Sequence, residues 1–353
     1  MLISGLLILL VLTIFILYRY LSTLKENHSP GPVKLERIIP VIEDSSFHTS
    51  GKSEAIISQP AGMTFAGETL FVLDSADGCV RLFDKKGNLI KIIGKKGKGP
   101  GEFNRPEGIC LDITGQSIIV ADTASRRIQI LDFEGRLKAS LNLNFPPTGV
   151  AASGDRLYLL AFPGSSLLIK NEGLVKIYNQ NLEPVGEFLK PATTNDISMN
   201  LLANSIILKT DRNGQLLAAR QFALNEVQVF DPQGRLTRRF EIIYKGAELS
   251  PPGLDLRIQH NEDLQKLALL VLDVAFDSAN NYYFLAGTSG KQPDGTLEKG
   301  REIYRYSSQG KYLGTIILPL RARLIAFSPE DELYLIDENY DLRKFILTER
   351  GPR

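Results

Sequence analysis

Seven polar side chains stand at or just before short apolar runs: Gln59, Arg105, Glu107, Thr148, Asn204, Asp273 and Arg323. Their types suit recognition better than turnover. Carboxylates, guanidinium groups, amides and a hydroxyl can share hydrogen bonds with a small polar ligand. The subset Glu107, Asn204 and Asp273 offers oxygen ligands of the kind calcium collects, roughly six to eight per ion, so a calcium site is the alternative. Nucleophilic catalysis has no support, because no Gly-x-Ser-x-Gly elbow occurs and no histidine is placed as a base. The three histidines, His28, His48 and His260, lie outside the apolar runs, which also removes a histidine zinc site. The basic glycine-rich stretch 94–101, GKKGKGPG, is not a phosphate loop: it lacks the Gly-Lys-Ser/Thr ending and opens no helix.

The elements that must position these groups are short strands. Within 94–136, three runs rich in Ile, Leu and Val are separated by Pro106–Gly108, Gly115, 122–125 and Gly135. Runs of about four to six residues between Gly, Asp and Ser clusters read as strands of an antiparallel meander. The pattern recurs from Pro60, Pro147, Ser205, Val274 and Leu324, giving six units with a period near forty residues. The sixth unit stops one strand short. The unassigned run 33–42, VKLERIIPVI, supplies the missing strand if it pairs with 342–347.

The block PEGICLD–ITGQSIIVADTASRRIQILDFEG, 106–135, closely resembles the NHL repeat, and the chain resembles membrane-tethered bacterial six-bladed propellers of that type. The resemblance implies an all-β fold: a six-bladed β-propeller of four-stranded antiparallel blades, closed by the N-terminal strand. It also implies that the first strand of each blade lines a central channel, which would place the seven polar residues at one channel mouth. Phe103 in the Gly-x-Gly-Pro-Gly-x-Phe link is expected between blades. A calcium-dependent lactonase of the gluconolactonase type uses Glu, Asn and Asp from such strands, which is the enzyme alternative; its surrounding motifs do not occur here. Some NHL propellers bind single-stranded RNA on a basic face. Here Lys95, Lys96, Lys98, Arg105, Arg126 and Arg127 cluster in sequence, yet the overall charge is only +1 and nucleic acid is not the expected partner.

Residues 2–18 carry no charge and would reach roughly 25 Å as a helix, the short end of a membrane span. No basic leader precedes them and no small-x-small cleavage site follows, so residues 1–20 are read as an uncleaved single-pass anchor, 21–32 as a polar linker and 33–350 as the propeller. Arg19 and Lys25 favour a cytoplasmic propeller by the positive-inside rule, whereas the resemblance favours the outer side; the side stays open, with a lean outward. Cys79 and Cys110 fall on strand positions too far apart for a disulfide and are expected as buried or half-buried thiols. Three insertions interrupt the repeats: 191–202, 245–271, with an amphipathic helix expected over 261–271, and 286–300. The sequence reading is thus a membrane-anchored scaffold that binds a protein partner or a small polar ligand, with no cofactor needed.

Overall fold

The computed structural model describes residues 37–47, 53–112, 116–164, 172–192, 197–222, 225–242, 270–287, 290–291, 297–298 and 300–348. The expected anchor over 2–18 and the linker over 21–32 lie outside the described residues. Among the described residues no helix is long and apolar enough to cross a membrane.

Residues 37–353 make one compact unit. Its sheets are six antiparallel blades of four strands each, with the innermost strands Pro60–Ala66, Gly108–Asp112, Pro147–Ser153, Ile206–Thr210, Val271–Phe276 and Ala322–Phe327. The second strands, such as Thr69–Asp74, Ser117–Asp122 and Leu333–Asp337, are buried nearly end to end. A neighbouring blade covers each of their faces, so they read as continuous apolar runs without alternation. The outermost strand of blade two, Leu137–Asn142, is partly solvated and alternates instead. Interdigitated side chains hold adjacent blades: Phe71, Leu73 and Val80 of blade one meet Ile118 and Val120 of blade two around the fully buried Phe103. Gly94 makes room for that ring, because a Cβ there would sit 2.5 Å from it. Between blades four and five the packing is aromatic, with Phe240 against Tyr282, Phe284 and Tyr306.

The ring closes through the N-terminal chain, but with a different division of labour from the single strand expected over 33–42. Val41–Glu43 pairs antiparallel with Leu342–Leu347, with Val41 opposite Leu347 and Glu43 opposite Phe345, and completes blade six. Ile38–Ile39 instead runs parallel to Tyr312–Ile317 and adds a fifth strand to blade five. Pro40 separates the two: it has no N–H for a ladder, while its carbonyl accepts the Thr348 N–H at 3.0 Å. Gly314 permits the parallel pairing, since a Cβ at that position would lie 2.9 Å from the Arg37 carbonyl oxygen.

The insertions depart from expectation where they can be described. Most of 245–271 lies outside the described residues, but Val271 opens the innermost strand of blade five opposite Ala286, so a helix does not reach it. The 191–202 insertion carries the short helix Ile197–Ala203. Within 286–300, Gly290–Lys291 pairs with Leu297–Glu298.

Candidate functional site: the central channel

In blades one and two the chain entering the blade is held at a corner at the end of the second strand. In blade one Asp74 accepts the N–H groups of Ser58 and Gln59, at 2.7 and 3.1 Å, and a 2.7 Å bond from the Arg81 guanidinium. In blade two Asp122 accepts the Asn104 N–H at 2.7 Å and Arg127 Nε at 2.8 Å. A buried carboxylate thus gathers the backbone donors of the incoming chain and is neutralised by a strand-three arginine. Blade four inverts the corner. Arg220 replaces the aspartate, its guanidinium donates to the Ala203 carbonyl at 2.6 Å, and Glu226 lies 3.7 Å away. A guanidinium has donors and no acceptor, so this corner collects acceptors where those of blades one and two collect backbone donors.

These corners account for two of the seven sequence candidates, Gln59 and Asn204. Gln59 is held through its backbone. Asn204 is 1% exposed and is spent on local backbone: its Oδ1 accepts the Ala192 N–H at 2.8 Å, and its Nδ2 donates to the carbonyls of Ala192 and Asn200. Arg105 and Glu107 pair at 3.2 Å on the surface, with side chains 74% and 32% exposed. Thr148 is 3.5 Å from the Leu160 carbonyl. Arg323 stacks its guanidinium over Tyr340, 4.8 Å from the ring centroid.

Asp273 is 4% exposed and joins three blades, one residue short of the strand segment that lines the channel. Its Oδ1 accepts the Lys209 ammonium at 2.6 Å and the Val274 N–H at 2.8 Å, and its Oδ2 accepts the Ile325 N–H at 2.9 Å. Lys209 also donates to the Val274 carbonyl. One carboxylate therefore ties blades four, five and six together at the axis.

Around that axis all six innermost strands enclose a cavity of about 280 Å³. Met63, Phe65, Ile109, Leu111 and Phe327 make apolar walls, and blade four contributes Lys209, Thr210, Asp211 and Arg212. The lining lies farther along the strands than Gln59, Arg105, Glu107, Thr148 and Arg323, none of which lines it. Lys209 and Arg212 are not among the sequence candidates; the available signal is a cation inside the otherwise aliphatic run of Ile206–Thr210.

The site's chemistry follows from these partners. Glu107, Asn204 and Asp273 do not fit calcium as they stand, because the oxygens of Asn204 and Asp273 already accept from protein donors and an ammonium sits against Asp273. Among the described residues no group of three or more His, Cys, Asp or Glu side chains could hold a metal ion. The three histidines lie outside the described residues. Cys79 and Cys110 are free thiols. Burial pushes the Cys79 thiol up to about 11 against the pull of Arg81, and burial also raises Cys110, which lines the cavity. Neither thiol is a ready nucleophile.

The profile of a family described as "6-bladed beta-propeller", DUF5128, matches residues 49–248. Among curated proteins, "Protein brain tumor" of Drosophila melanogaster is 26% identical over 158 residues, covering 42% of this chain and 13% of that protein. "Protein lin-41" of Caenorhabditis elegans is 50% identical over 46 residues, covering 13% of this chain and 4% of its own length. Both are distant NHL-repeat homologues, and the chain spans only a small part of each. Among solved structures, a member of the duf4221 family from Bacteroides vulgatus has a TM-score of 0.61 at 11% identity, covering 88% of this chain and 98% of that one. A streptogramin B lyase has a TM-score of 0.54 at 10% identity, with 88% and 98% covered. At such identities these structures share the fold alone.

Proposed function

The chain belongs to the DUF5128 family of six-bladed β-propellers, and from that premise we propose that it is a non-catalytic binding module whose ligand or partner engages the central channel. The observation that carries this reading is the cavity where six strands converge, lined mostly by apolar side chains, with Lys209 at its wall already paired to Asp273. A concave, largely apolar site with a few fixed polar groups binds and orients. Among the residues lining the cavity, Asp211 is taken up by hydrogen bonds and the Cys110 thiol is raised by burial, which favours binding over turnover. The charge-free run 2–18 supports a role as membrane tether, placing the ring beside a membrane, outward if the resemblance to tethered bacterial propellers holds.

The test pairs calorimetric titration with calcium and assays of lactone and ester hydrolysis on the purified protein. The binding reading expects no stoichiometric calcium uptake and no turnover. Calcium binding together with turnover that Glu107→Gln abolishes would replace it with a calcium-dependent hydrolase.

A further inference from the structure

We propose that the channel cavity takes a small organic acid, its carboxylate at Arg212 and its apolar body among Met63, Phe65, Phe276 and Phe327; this inference rests on the binding-module reading and gives it a ligand class. The size is the first argument. About 280 Å³ is close to twice the ~150 Å³ apolar cavity that accepts benzene, so the body is on the scale of a fused pair of rings. The second argument is the distribution of charge. Blades one, two, three, five and six line the cavity with neutral side chains, and every charged lining residue comes from blade four.

Of those charges, Asp211 is consumed. Its Oδ2 accepts from the Tyr282 hydroxyl at 2.7 Å and from Asn280 Nδ2 at 3.2 Å, while its Oδ1 accepts the N–H groups of Asn213 and Gln215. Lys209 is shared with Asp273. Arg212 is exposed, its backbone N–H donates to Asn280 Oδ1 at 2.9 Å, and its guanidinium has no ion pair or hydrogen bond among the described residues. The acids at the neighbouring hairpin tips do not neutralise it. Glu68 and Glu330 both lie on Lys85, Asp331 accepts from Ser278, and Asp155 is 4.0 Å from Arg156. An uncompensated guanidinium at the rim of an apolar cavity selects an anion with a hydrophobic body.

The experiment compares three probes of one shape on the intact protein: naphthalene-2-carboxylate, naphthalene-2-methanol and naphthalene-2-methylamine, each by titration calorimetry. The acid should bind about tenfold or more tightly than the alcohol or the amine, the scale of one charge-assisted contact. Arg212→Gln should erase that preference while leaving the alcohol unchanged, and Arg212→Lys should keep part of it. The substitution leaves the backbone bond to Asn280 intact, and an unchanged melting temperature checks that the fold survives. Equal binding of acid and alcohol, or an acid preference that survives Arg212→Gln, overturns the proposal. In either case, if Thr64→Phe on the opposite wall still weakens all three probes, channel binding stands and only the ligand class falls. If none of the three binds the wild-type protein, the proposal falls and the channel reading loses its support as well.

Discussion

Asp273 and Lys209 meet at 2.6 Å across the seam between blades five and four, with side chains 6% and 29% exposed. The pair is unequal. Asp273 also holds two backbone N–H groups, one from blade six, whereas Lys209 has one further acceptor, the Val274 carbonyl. Removing the carboxylate strands an ammonium and two amide donors; removing the ammonium leaves the carboxylate two of its donors. Asp273→Ala is therefore expected to cost about 3–5 kcal/mol, and Lys209→Met clearly less. Urea unfolding of the two variants checks the order, and a larger loss for Lys209→Met would show that the carboxylate does not organise the seam.

Ring closure predicts a sharp boundary for truncation. Removing residues 1–36 leaves every described strand in place, whereas removing 1–43 takes the fourth strand from blade six and uncovers the ladder edge of Leu342–Leu347. The shorter truncation should melt at the full-length temperature and the longer should melt lower and aggregate. Identical melting of the two would mean that the seam contributes nothing.

The inverted corner makes a third case. Arg220 is buried, and its guanidinium bonds the Ala203 carbonyl and Asn204 Oδ1. Arg220→Met fills similar space but takes the guanidinium from the Ala203 carbonyl, while Asn204 Oδ1 keeps the Ala192 N–H and Glu226 keeps Arg239. A loss of about 1–3 kcal/mol is expected from one buried acceptor left without its donor. Restoring the blade-one type of corner with Arg220→Asp should not rescue the fold, because an aspartate cannot donate to a carbonyl. Thermal unfolding of both variants reads this directly, and a stable Arg220→Asp protein would contradict it.

Acid sensitivity follows from the hairpin turns between third and fourth strands. Burial pushes the Asp231 carboxyl up, but the Arg235 backbone N–H and guanidinium and the Gln233 N–H outweigh it and hold the group below its ordinary 3.8. Asp84 and Asp132 are lowered in the same way by the residues of their own turns. A carboxylate with a lowered folded value stabilises the fold above its unfolded value, and that contribution disappears as pH falls through the folded value. Stability should therefore drop below about pH 4, and Asp231→Asn should make the acid limb shallower. A pH series of urea midpoints measures it; an unchanged limb in the variant would remove the turn carboxylates as its cause.

Much of the ring was legible because its information is local. The runs of blades one and two announce themselves through β-branched residues between fixed turn signals, and Phe103 ends the Gly-x-Gly-Pro-Gly-x-Phe stretch that the resemblance to NHL propellers implies as a link between blades. The seam was legible only in outline. A missing strand and a spare run predict closure, but the division at Pro40 depends on a parallel pairing with residues more than 270 positions away. Val271 shows the opposite failure: an apolar spacing that suits a helix is overridden by pairing with Ala286. The site was least legible. Alignment places polar residues at the starts of the inner strands, whereas the cavity lies farther along them, and the partnership of Lys209 with Asp273 joins residues 64 apart.

The channel itself can be tested through its own thiol. Cys110 lines the cavity and Cys79 is buried in blade one, so the two cysteines serve as reporter and internal control. The rate of Cys110 alkylation by iodoacetamide, slow because burial raises the thiol and therefore followed at alkaline pH over hours by mass spectrometry, with and without saturating naphthalene-2-carboxylate, locates the bound ligand. Occupancy of the channel predicts that Cys110 is protected while the slow modification of Cys79 is unchanged. An undiminished rate at Cys110 with the ligand bound would place binding elsewhere and contradict the channel as the functional site.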